Sequence, residues 1–268
     1  MNSKSRREKP AAHPDSGCLS DLACGFHAVE SFLTDSMSTS GRVKRIWIDS
    51  ARRDTRIDTL IKTAERVSVE ILAENREVLD RLSQGASHQG VIAEVAPFEY
   101  LNLDTLSERV CASSAACLLL VLDQVQDPHN LGACLRTAEC AGVDAVVVSK
   151  DGTCPVNTTV RRVSAGAADR LSVVQVTNLA RAIRNLQQCG VWFVGTADAA
   201  TSSLYDTDLT GSIAIVMGSE AKGMRQQTIK SCDFLVSVPM KGDVSSLNVS
   251  VATGVALFEA VRQRAVSG

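Results

Sequence analysis

Three short segments of this 268-residue chain concentrate side chains that bind charged or polar groups. The first, Asp127-Pro128-His129-Asn130-Leu131-Gly132-Ala133-Cys134-Leu135-Arg136-Thr137-Ala138, sets the amide of Asn130 six residues ahead of the guanidinium of Arg136. Asn130 is placed to cap a helix, and a guanidinium held beside a loop clamps a phosphate or carboxylate. In the second, Gly218 and Gly223 bracket Ser219-Glu220-Ala221-Lys222, between Met217 and Met224. Two such glycines let backbone amides come close to a ligand. Met224 follows Gly223 where a Walker-type phosphate loop has Lys and Ser/Thr, and no G-x-G-x-x-G follows a strand, which argues against nucleotide triphosphates and nicotinamide. The third holds Val238-Pro239-Met240-Lys241-Gly242-Asp243, then Ser245, Ser246, Asn248 and Ser250. Helix capping accounts for one of those four polar residues, and the group reads as a binding wall.

The elements that must position these segments alternate between strand and helix. Runs such as Cys117 to Leu122 and Ala145 to Ser149 are apolar on both faces, as a parallel sheet covered by helices requires. Further strands are expected at 171–176, 191–196, 213–217 and 234–238, with helices near 131–141, 157–167, 179–189, 225–231 and 249–262. In such a sheet, ligands bind where loops leave the carboxyl ends of strands, which is where the three segments fall. A smaller α/β unit precedes it, with helices over 25–33, 57–67 and around Val78 and Leu82, and strands at 43–49, 69–72 and 91–95. The fold class is α/β. The expected divisions are a disordered tail (1–20), a first unit (21–97), a linker (98–115) and a larger unit (116–268).

Composition narrows the function classes. The formal net charge is −2, so contact with nucleic acid must use local patches, such as Arg42, Lys44, Arg45, Arg52, Arg53 and Arg56, or Arg161 and Arg162. No apolar run approaches the ~20 residues of a membrane span, and Met1 to Pro10 lacks the apolar core of a secretory signal. Nine cysteines without a C-x-x-C pair read as reduced thiols, and four scattered histidines offer no metal site. The expectation is a soluble, cytoplasmic protein that needs no metal.

The three segments resemble motifs 1, 2 and 3 of the SpoU-type branch of the SPOUT superfamily, the RNA 2′-O-ribose methyltransferases, with patterns N-x-G-x-x-x-R-T/S-A, G-x-E-x-x-G and S-L-N-V-S-x-A. The likeness covers about residues 116–265. Asp127 to Arg136, Gly25-Phe26-His27-Ala28-Val29 and Gly85-Ala86-Ser87-His88-Gln89-Gly90-Val91-Ile92-Ala93 are similar to one subgroup, whose bacterial members methylate a guanosine in the P loop of 23S rRNA at the peptidyl transferase centre. The resemblance implies a trefoil-knotted catalytic domain, an L30e-like RNA-binding domain over 21–97, and a homodimer, for which apolar positions of the last helix such as Val255 and Phe258 are available. It implies S-adenosylmethionine as cofactor, held by Gly195, Thr196, Met217, Gly218, Gly223, Val238, Pro239, Met240 and Leu247. Asn130, Arg136, Glu220, Ser246 and Asn248 would line the reacting end. Arg136 would hold the target phosphate and stabilise charge developing on the 2′-oxygen. The rival readings are a methyltransferase acting on tRNA or another rRNA ribose, a non-catalytic RNA-binding protein, and a nucleotide-dependent α/β enzyme.

Overall fold

The computed structural model describes residues 21–38, 42–83, 85–198, 200–220, 222–243 and 246–267. The tail expected over 1–20 and Ser245 lie outside them.

Two sheets organise these residues. The first has four strands in the order β1-β4-β2-β3, formed by β1 (Asp21–Cys24), β2 (Val43–Asp49), β3 (Glu70–Glu74) and β4 (Val91–Val95). Both β1 and β2 run antiparallel to β4, whereas β3 runs parallel to β2. Helices α1 (Phe26–Ser38), α2 (Thr55–Arg66) and α3 (Arg76–Ser83) complete the unit. Asp54 caps α2 by accepting from the Arg56 and Ile57 amides, and Ile57, Leu60 and Ala64 carry its buried face.

The second sheet has seven parallel strands in the order β7-β6-β5-β10-β8-β11-β9. These are β5 (Leu118–Leu122), β6 (Ala145–Ser149), β7 (Ser172–Val176), β8 (Trp192–Thr196), β9 (Ser202–Ser203), β10 (Ile213–Met217) and β11 (Phe234–Ser237). Every residue of β5, β6 and β10 is buried, so both faces are covered. Helices α5 (Pro128–Cys140), α6 (Thr158–Val163), α7 (Ala167–Arg170) and α10 (Val249–Ser267) belong to one side of the sheet. On the other lie α4 (Leu103–Ala112) and α8 (Leu179–Gln187); α9 (Gln226–Ser231) packs on α8. At Gly132 of α5 a Cβ would fall 2.7 Å from Val163 Cβ and 2.9 Å from the Val160 carbonyl, so glycine is what lets α5 and α6 approach.

Two expectations are corrected. The stretch read as a linker contains α4, and Leu101 bridges Val174 at the sheet edge while the Tyr100 hydroxyl accepts from the Val156 amide at 2.9 Å. Leu106 and Val110 anchor α4 in the core, a periodicity obscured by the surrounding charges. Nor are all nine cysteines thiols: Cys111 and Cys189 form a disulfide. Their 78-residue separation hid the pairing, which arises because the end of α4 lies against the end of α8.

A polar seam joins the two units. Arg161, 3% exposed, meets Asp169 Oδ1 at 2.7 Å, donates to the Ala96 carbonyl at 3.1 Å and stacks over Phe32, 4.3 Å from the ring centre. Arg42 reaches the same Asp169 carboxylate at 3.4 Å from the first unit. A buried guanidinium held by a carboxylate, a carbonyl and a ring is a stiff joint, because losing any one partner strands a desolvated charge.

Candidate active site

The carboxyl ends of β8, β10 and β11 face one cavity of about 400 Å³. That volume lies within the range of small-molecule and cofactor sites. Its apolar wall comes from Met217, Ile229, Val236, Val238 and Leu247, and its polar groups from the loop after β10 and the entry to α10.

The loop after β10 is closed on itself. Ser219 and Gly223 exchange backbone hydrogen bonds at 3.1 and 2.8 Å, and Gly223 takes φ +65°. A Cβ on Gly218 would collide with the Gly223 and Met224 backbone. Only glycine fits there, and the loop's backbone is thereby presented to the cavity. Below the loop, Asp123, fully buried at the end of β5, accepts from the Arg225 Nε at 2.8 Å and the Arg225 amide at 2.9 Å. This pair ties the start of α9 to the neighbouring strand. Sequence reasoning passed it over, although an acid directly after the run Leu118–Leu122 is its visible signal.

Asn130 does not cap α5. Asp127 does so, accepting from the Asn130 amide at 3.1 Å, with Pro128 in the first turn. Both residue types cap well, and the proline moves the helix start three residues earlier. The Asn130 side chain is therefore free: its Nδ2 donates to Glu220 Oε1 at 2.8 Å, and its Oδ1 accepts from Asn248 Nδ2 at 3.0 Å. Asn248 Nδ2 also donates to Glu220 Oε1. The Asn248 amide has one orientation that works, because its Oδ1 accepts from both the amide and the hydroxyl of Ser250, at 2.9 and 2.6 Å. Glu220 Oε2 makes no hydrogen bond among the described residues.

The structure thus joins Asn130, Glu220 and Asn248 and sets Ser246 on the cavity wall. Arg136 stands apart: it is exposed, with no ion pair or hydrogen bond among the described residues. It shares a face of α5 with Gly132 and Glu139, and that face runs along α6 and α7, where Glu139 pairs with Arg170 at 2.9 Å. Of the expected cofactor residues, Thr196, Met217, Gly218, Gly223, Val238, Met240 and Leu247 line the cavity. Gly195 and Pro239 are not on its lining. Gly195 is a packing glycine, since a Cβ there would lie 2.8 Å from Cys232 Sγ and 2.9 Å from Met224 Cε. Ser219 and Lys222 of the bracketed loop line the cavity too, whereas Asp198, just past β8, and Gln226, at the start of α9, line it and were not anticipated.

The two thiols beside the site are held in the neutral form. Burial pushes Cys134, one turn after Asn130, up to about 11, and Cys232, behind Gly195, up to about 12. Among the described residues no group of three His, Cys, Asp or Glu side chains could hold a metal, and no helix is long and apolar enough to cross a membrane.

Comparison with known proteins agrees with this arrangement. The SpoU rRNA methylase family matches residues 117–258, and the family described as RNA 2′-O ribose methyltransferase substrate binding matches 22–101. The chain is 50% identical over 244 residues to the 23S rRNA (guanosine-2′-O-)-methyltransferase RlmB of Vibrio cholerae, covering 91% of this chain and 97% of that protein. It is 48% identical to the Escherichia coli protein of the same name, covering 92% and 100%. Among solved structures, the SpoU methyltransferase AviRb from Streptomyces viridochromogenes, in complex with the cofactor AdoMet, superposes with a TM-score of 0.74 at 25% identity, covering 92% of this chain and 91% of that one. This chain belongs to the SpoU rRNA methylase family.

Proposed function

We propose that this protein transfers a methyl group from S-adenosylmethionine to the ribose 2′-hydroxyl of a guanosine in 23S rRNA. The observation that carries the reading is the Asn130–Glu220–Asn248 junction, whose Glu220 lines the cavity. Identity near 50% to proteins named for that reaction supports the substrate. The similarity of 25–29 and 85–93 to the P-loop-methylating subgroup supports that target. Residues 21–97 would bind RNA and 116–268 would carry the chemistry, in the cytoplasm where rRNA is made. The strand order, with β10 between β5 and β8, supports a trefoil-knotted path.

The residues present fit the cofactor. The Gly218–Gly223 loop offers backbone at a surface that a Cβ would close, and Val238 and Leu247 offer an apolar slot for an adenine. S-adenosylmethionine supplies an electrophilic methyl group on a sulfonium. The chain must then orient a weakly nucleophilic hydroxyl and stabilise the charge it develops. Asn130 and Asn248 fix Glu220 through one oxygen, so that Oε2 accepts the hydrogen bond of the 2′-hydroxyl. Arg136 accepts nothing while charged. Its planar fork suits the target phosphate and the developing 2′-oxyanion, and its place outside the cavity separates that task from cofactor binding.

The homodimer belongs to the same reading. Val251 and Phe258 are 52% and 48% exposed and, with Val255 between them, form one apolar stripe along α10; Leu257 is buried in the core.

Four outcomes are expected. Gly218→Ala abolishes S-adenosylmethionine binding by calorimetry with cooperative thermal unfolding retained; undiminished affinity contradicts the assigned cofactor loop. The purified protein labels a 2′-O-methylguanosine in 23S rRNA from methyl-labelled S-adenosylmethionine. Arg136→Ala lowers that rate about 10²–10³-fold with cofactor affinity unchanged, and Arg136→Lys does not restore it; near-normal turnover of Arg136→Ala removes the role given to Arg136. Light scattering gives twice the 28.5 kDa chain mass, and Phe258→Asp halves it; a wild-type monomer contradicts the dimer.

A further inference from the structure

A second cavity, of about 200 Å³, opens at the seam between the two units. His27 and Ser31 of α1 form one wall, and Arg162 at the end of α6 with Ala165 and Gly166 of the turn after it form the other, with the Arg161–Asp169 clamp at its base. The cations near it differ in how far they are committed. Arg161 and Arg42 share Asp169, whereas Arg162 is exposed and makes no ion pair among the described residues. Elsewhere in the first unit, Lys44 and Arg45 pair with Glu94, and Arg52 pairs with Asp54. Arg162 is thus a cation at a fixed cleft, opposite an exposed imidazole and an exposed hydroxyl from the other unit.

We infer that this seam cavity is a subsite for a phosphate of the RNA backbone, gripped from both units; the inference rests on the proposed function. The clamp fixes the width of the cleft, so the phosphate sets the distance between RNA held by the first unit and the reacting ribose. The α6–α7 segment bordering the cavity is also the one along which the Arg136 face of α5 packs. A strand passing from residues 21–95 to Arg136 can therefore cross the seam. Arg162 supplies the charge, and Ser31 and His27 supply hydrogen bonds that a phosphate oxygen accepts.

The test is equilibrium binding of a 23S rRNA transcript to the full-length protein across a potassium chloride series. Losing one phosphate contact weakens binding on the order of tenfold and reduces the slope of log affinity against log salt by about 0.7–0.9. Arg162→Ala should show both changes while S-adenosylmethionine affinity stays at the wild-type value, and Arg162→Lys should recover the slope. Ser31→Glu, which sets a like charge against the phosphate from the other unit, should weaken binding comparably and serves if Arg162→Ala misfolds. Unchanged affinity and slope in the folded variant overturns the subsite. Binding reads the subsite and methyl transfer reads the proposed function, so the two fail separately.

Discussion

Glu220 accepts hydrogen bonds through a single oxygen from two amides that lie 90 and 28 residues away in the chain. This junction is the constraint on which the rest of the site depends. Each partner leaves a different loop at the carboxyl edge of the parallel sheet, and each is pinned locally before it reaches the junction. Asp127 caps α5 and leaves the Asn130 side chain unspent. Ser250 turns the Asn248 amide so that its nitrogen faces Glu220. The Ser219–Gly223 bridge holds the loop that carries Glu220. Hydrogen bonds to a carboxylate are roughly twice as strong as neutral ones, so they draw the three segments together. Such preorganisation is what a transfer reaction between two bound partners needs.

Support beneath the junction is of a different kind. Asp123 is fully buried and spends both carboxylate oxygens on Arg225, fixing where the chain enters α9. Gly195 thins β8 so that Met224 and Cys232 can fill the layer behind the cavity. Gly132 does the same between α5 and α6, and so sets the face on which Arg136 stands. The seam around Arg161 extends that rigidity to the first unit, which suits a protein whose formal charge of −2 gives RNA no general attraction. Recognition then has to come from a few cations at fixed positions.

Much of this was legible in the sequence. Strands apolar on both faces announced the parallel sheet, and three polar segments after such strands announced the loops that meet. What was hidden depended on neighbours distant in sequence. Gly195 reads equally as a ligand-facing or a packing glycine until Cys232 and Met224 are in place. β1 has four residues and gains its identity from β4, some 70 residues on. The Cys111–Cys189 bond depends on where α4 crosses α8. The helix start at Pro128 is a local signal that a second capping residue, Asn130, masked.

If the three loops act as one unit, the amides on either side of Glu220 cannot contribute independently. A double-mutant cycle on Asn130→Ala and Asn248→Ala, read as the rate of methyl transfer to 23S rRNA, measures this directly. The account predicts that the double variant is scarcely slower than the slower single variant, because the first substitution already frees Glu220. Losses that multiply, each substitution costing the same factor whether or not the other is present, would contradict it.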